Sequence, residues 1–145
     1  MSSARAAAIV TWVYALGFGL PTVPVSIYVL RNGQLPSFYG LFEMYGGPWS
    51  ASVSDNTFVV LLLLFGAATL VAACSAWLLW QRRRIGAVLN LAVLPVEAVF
   101  WIGFALPLPW VTGVARVVLC AVAWNSLSKS GRPAELAPWS VRTSA

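Results

Sequence analysis

The sequence predicts an all-α membrane protein. It reads as four transmembrane helices in an antiparallel bundle, N-in and C-in, with an aromatic-rich extracytoplasmic loop between helices 1 and 2. Three observations carry this. Of 145 residues, 60% are hydrophobic and 9% charged, and the mean hydropathy is +0.82. That is too little polar surface to cover a small water-soluble core, whereas a bilayer supplies the apolar solvent directly. Four stretches reach the ~20 apolar residues that a span needs. The cations flank those stretches with a strong bias to one side.

The spans fall at about residues 6–30, 57–80, 85–106 and 109–127, with an outer loop at 31–56 and a cytoplasmic tail at 128–145. The first resembles a signal peptide in position only. Its n-region holds a single Arg5, the span contains Pro21 and Pro24, and no A-x-A site follows, so it is expected to be a retained helix. The segment GFGLPTVP, residues 17–24, bends or breaks that helix, as interrupted helices do in transporters and as proline kinks do in ordinary bundles. Helix 2 carries Ala68, Ala72 and Ala76 at four-residue spacing beside Gly66 and Ala73, which lets another backbone approach inside the bundle or at an oligomer contact. Helices 2 and 3 are joined by residues 81–84 and helices 3 and 4 by residues 106–109, so each pair is expected to be antiparallel neighbours.

Orientation follows from charge. With four alternating spans, Arg5, Arg82, Arg83, Arg84, Lys129, Arg132 and Arg142 share one side and Arg31 stands on the other, which places both termini in the cytoplasm. Trp12, Trp77, Trp80 and Trp124 belong toward the cytoplasmic interface, and Trp49 and Trp110 toward the outer one. The outer loop reads either as a lid that shields the helix ends or as an interaction surface in Phe38, Tyr39, Phe42, Glu43, Tyr45 and Trp49, with a short interfacial helix expected over residues 41–45.

The net charge of +5 does not point to nucleic acid, because the basic residues abut hydrophobic spans and form no stripe interleaved with aromatics. Histidine is absent, and Cys74 and Cys120 form no C-x-x-C pair, so no metal site and no cofactor is expected. The two cysteines read as small packing residues.

The sharpest feature is a carboxylate and a guanidinium inside apolar spans. Glu97 lies nine residues before the corner at 106–109 and Arg116 seven after it, which at ~1.5 Å per residue puts them within roughly 3 Å of one depth. An isolated charge at a helix centre costs ~2.5 to 3.5 kcal/mol on insertion scales, so the two are expected to pair. Asn90, Glu97, Trp101 and Phe104 share a stripe of helix 3, and Thr112, Arg116, Cys120 and Ala123 a stripe of helix 4. Pro95 frees a backbone carbonyl near the charge. The candidate ligand or partner site is therefore Glu97, Arg116, Asn90, Trp101 and Thr112, read either as a clasp holding two helices in register or as a site for a headgroup, an ion or a partner helix.

No catalytic constellation is present. Glu97 with Tyr14, Tyr28 or Tyr39 are scattered candidates for acid–base chemistry, and Thr22, Ser26 and Thr69 do not strengthen them. The function expected is that of a small integral membrane protein acting as a subunit, stabiliser or assembly factor of a larger membrane complex. The alternative is a small dimeric transporter or lipid-binding protein using Glu97 and Arg116. The partners expected are membrane lipids and other membrane-protein subunits or a second copy. Arginine outnumbers lysine eight to one, which fits a GC-rich bacterial genome and a cytoplasmic (inner) membrane.

Overall fold

The computed structural model describes residues 2–127. The predicted tail at 128–145, with Lys129, Arg132 and Arg142, lies outside the described residues. Four helices are long and apolar enough to cross a membrane: Ser3–Asn32, Asp55–Trp80, Arg84–Gly103 and Leu108–Ser126, here spans I to IV. They make this a multi-pass membrane protein by length and composition.

Span I is continuous but not uniform. Helix α1 (Ser3–Tyr14) runs into a π-helical segment, Ala15–Gly19, and then into α2 (Thr22–Asn32). Pro21 brings no N–H to the helical ladder, and the wider π turn ahead of it absorbs the mismatch, so the glycine–proline segment re-registers the helix instead of ending it. The bulge also sets the crossing of spans I and II. A Cβ on Gly19 would run into the Thr69 side chain, and one on Gly66 would lie 2.7 Å from Thr22 Oγ1. Each glycine thus receives the threonine of the facing helix. Both hydroxyls donate to local carbonyls, Thr22 to Gly19 at 2.6 Å and Thr69 to Gly66 at 2.7 Å, so no buried donor is left over.

The loop after span I begins with the left-handed Gly33 (φ 65°). It does not form a helix over residues 41–45. Strands β1 (Ser37–Phe38) and β2 (Phe42–Glu43) pair antiparallel, Ser37 opposite Glu43. Gly40 (φ 72°) and Tyr39 (φ 50°) turn the chain, and two successive left-handed residues suit a tight hairpin better than a helical turn. A five-residue helix, α3 (Pro48–Ser52), follows and leads to Ser54, the N-cap of α4 (Asp55–Trp80). Arg82 in the left-handed region (φ 58°) closes the short link to α5 (Arg84–Gly103), and Ala105 (φ 48°) closes the link to α6 (Leu108–Ala123).

Around the bundle, span I packs on II and IV, II on III, and III on IV. At the arginine end the helices meet through Ala4, Ala7, Ala8, Ala76, Ala87 and Ala123. The small-residue stripe of span II is therefore used inside the bundle: Ala72 and Ala76 are fully buried. At the loop end rings fill the space, with Phe58, Phe65, Phe100 and Phe104 in one cluster with Tyr14 and Tyr45. Trp12 packs on Trp77 and Trp80, Arg5 lies over Trp80 at 5.1 Å, and Arg84 over Trp124 at 5.6 Å. Cys120 is buried and Cys74 exposed, so they form no pair.

Candidate functional site

Between the alanine layer and the aromatic layer lies a polar layer to which all four spans contribute. Arg116 on span IV is fully buried, as are Glu97 and Asn90 on span III. The guanidinium donates three ways: Nη1 to Glu97 Oε2 at 2.6 Å, Nε to Asn90 Oδ1 at 2.9 Å, and Nη2 to the Asn90 carbonyl at 3.4 Å. Its carbon centre sits 5.1 Å from the Tyr14 ring centroid, a cation–π contact from span I.

Asn90 carries the network across the bundle. Its amide nitrogen donates to Thr11 Oγ1 at 3.0 Å on span I and to Ser75 Oγ at 2.8 Å on span II. Those hydroxyls donate in turn to the carbonyls of Ala7 and Ala72. The donors therefore run one way, from guanidinium to amide to hydroxyl to helix backbone, and each link polarises the next. The carbonyl that receives Arg116 belongs to Asn90, one residue before the one that Pro95 frees, so the proline is not its source.

Trp101 joins the layer by donating its indole N–H to the Tyr14 hydroxyl at 2.9 Å, and the hydroxyl also comes beside the Glu97 carboxylate. Thr112 does not take part. It lies in the first turn of α6, half-buried, and its hydroxyl donates to its own Pro109 carbonyl at 2.9 Å. Thr11, Tyr14 and Ser75 complete the site. Thr11 and Tyr14 sit three residues apart on one face of span I, a spacing visible in the sequence. Ser75 has no such marker beyond its place beside the alanine stripe. The polar groups singled out on spans I and II, Thr22, Ser26 and Thr69, lie nearer the loop end and serve the helix crossing or their own helix backbone.

The loop residues separate into two sets. Tyr45 and Trp49 point inward. Tyr45 is buried, packs edge-on against Phe65 and Phe104, and donates its hydroxyl to the Phe18 carbonyl in the π segment. Burial raises its phenol pKa above the ordinary tyrosine value. Trp49 lies edge-on to Phe100 and Phe104. Gly103 leaves the room its indole occupies. These two act as plugs for the bundle, as a lid over the helix ends would, because their rings pack on the aromatic cluster there. Tyr39 and Glu43 are exposed. The side chains of Phe38 and Phe42 lie outside what the structure describes.

Neither the ~750 Å³ loop-end cavity nor the lipid-facing grooves beside spans I/II and III/IV are lined by Glu97, Arg116 or Asn90. Among the described residues, no three His, Cys, Asp or Glu side chains come together to hold a metal ion. The chain matches no family model, no curated protein and no solved structure, so the reading of the site rests on its own geometry.

Proposed function

We propose that this chain is a non-enzymatic inner-membrane protein, with both termini in the cytoplasm, that serves as a subunit, stabiliser or assembly factor of a larger membrane complex. One observation carries the reading. Hydrogen bonds join Arg116, Glu97, Asn90, Thr11, Ser75, Tyr14 and Trp101 to one another and to helix carbonyls, tying the four spans together. A bundle clasped in this way suits a scaffold better than a carrier that must alternate between states. The orientation is supported by Arg5, Arg82, Arg83 and Arg84 at one end against Arg31 at the other. Arginine over lysine supports a bacterial host.

The small-residue face of span II no longer argues for an oligomer, since it is consumed within the chain. A partner would instead meet the exposed Leu, Val and Ile side chains of the outer helix faces. The test is in-membrane crosslinking followed by mild-detergent purification of the full chain. A stoichiometric protein partner is expected; a lone monomer both in the membrane and after extraction overturns the proposal.

A second reading, a small transporter or lipid-binding protein working through Glu97 and Arg116, is favoured by one fact. Glu97 Oε1 is buried without a hydrogen-bond partner among the described residues. Under that reading Glu97→Gln abolishes ligand binding or transport while protein level holds. Under the scaffold reading it lowers stability and leaves partner capture intact.

A further inference from the structure

The loop end holds a second feature that the scaffold reading does not use. Gly47 lets the loop lie on the end of span III: a Cβ there would come within 2.7 Å of the Gly103 carbonyl oxygen and 2.9 Å of the Ala105 nitrogen. This close approach roofs the ~750 Å³ cavity, walled by Phe18, Tyr45, Phe104, Leu106, Pro107 and Glu43. That volume is in the range of small-molecule sites. Its wall is apolar and aromatic apart from one charge, the Glu43 carboxylate.

The Glu43 carboxylate has no ion-pair or hydrogen-bond partner among the described residues. It also lines an adjoining hollow of ~290 Å³, whose wall includes Asp55. Arg31 lines neither hollow. The other polar groups are taken: the Tyr45 hydroxyl donates to Phe18, and Ser50 Oγ donates to the Gly47 carbonyl and accepts from the Gly47 N–H. We propose that the loop-end cavity binds a diffusible monovalent organic cation with an aromatic or branched apolar body, its charge held by Glu43. Phe18, Leu106 and Pro107 supply the apolar contact, over the buried rings of Tyr45 and Phe104. A phospholipid headgroup is disfavoured, because its phosphate would meet Glu43 and Asp55 as like charges. A neutral acyl chain would leave the carboxylate unused.

The test uses the full chain in nanodiscs of a glycolipid without ammonium groups, with empty discs subtracted for partitioning. Tetraphenylphosphonium is the probe and tetraphenylborate, of the same shape and opposite charge, the control. Saturable binding of the cation and none of the anion is expected. Glu43→Gln should weaken the cation about tenfold, which is about 1.4 kcal/mol. Leu108→Trp, which fills the cavity from a position 67% exposed, should remove the saturable component without unfolding the protein. Equal binding of both probes, unchanged affinity in Glu43→Gln, or partitioning alone overturns the proposal. So does displacement of the cation when phosphatidylethanolamine is added to the discs, since the occupant is then a lipid head.

Discussion

Removing one member of the buried ion pair at a time should give unequal losses, and the inequality follows from how many partners each member keeps. Arg116→Met deletes all three guanidinium hydrogen bonds and leaves Glu97 as a fully buried carboxylate with only the neighbouring Tyr14 hydroxyl. Breaking a buried pair so as to strand a charge costs about 3 to 5 kcal/mol. Glu97→Gln leaves Arg116 its bonds to the Asn90 side chain and carbonyl and its place over the Tyr14 ring. The glutamine carbonyl also replaces the lost acceptor. The guanidinium, which cannot shed its proton, then stays buried without a counter-charge, but its remaining acceptors and the Tyr14 ring offset part of that cost, leaving a loss of roughly 1 to 2 kcal/mol. Arg116→Met should therefore be the costlier by about 2 kcal/mol, and the double variant should cost at least ~1.5 kcal/mol less than the sum of the singles. Equilibrium unfolding in mixed micelles, followed by tryptophan fluorescence and circular dichroism, reads all three. The clasp reasoning is refuted if Glu97→Gln costs as much as Arg116→Met, or if the two losses add within ~0.5 kcal/mol.

Asn90→Leu should cost about 2 to 3 kcal/mol in the same assay, because it strands an Arg116 donor; Thr11→Val or Ser75→Ala alone should cost only about 1 kcal/mol, since the Asn90 amide keeps its other acceptor. Gly19→Ala should destabilise by about 1 to 3 kcal/mol by driving a methyl into Thr69, and adding Thr69→Ala should recover most of it, which thermal unfolding will show. Tyr45→Phe leaves the Phe18 carbonyl of the π segment without its donor, for a loss of about 1 kcal/mol and faster amide hydrogen exchange around residues 15–19. The raised phenol pKa of Tyr45 makes the folded state bind a proton that the unfolded chain releases, so stability is full below pH ~10 and falls above it. Tyr45→Phe should flatten that fall, and a decline of the same steepness in the variant would discount Tyr45 as its source.

What the chain says one residue at a time is how it partitions between water and lipid, and that suffices for much of the fold. Transfer free energies add along a helix without reference to any neighbour, so four spans and their approximate ends can be read from composition alone. The depth argument for Glu97 and Arg116 has the same character, because helix rise is constant and the connecting corner is short.

Which faces look inward is a different kind of fact. Span II is apolar all round, and its four-residue alanine spacing marks a contact face without saying whether that face meets the bundle or another chain; only the fit of Ala76 against alanines of other spans and of Ala72 against Val93 decides it. The recruitment of Thr11, Tyr14 and Ser75, and the exclusion of Thr112, depend on helix rotation to within a fraction of a turn. The hairpin at 37–43 depends on backbone dihedrals at Tyr39 and Gly40 that aromatic content does not report. The sequence by itself determined the solvent this protein folds in, the number of its spans and the depth of its charges, because those follow from local chemistry. Only the tertiary structure decided which polar groups share one network and which aromatics seal the bundle, because those follow from distances between residues far apart in the chain.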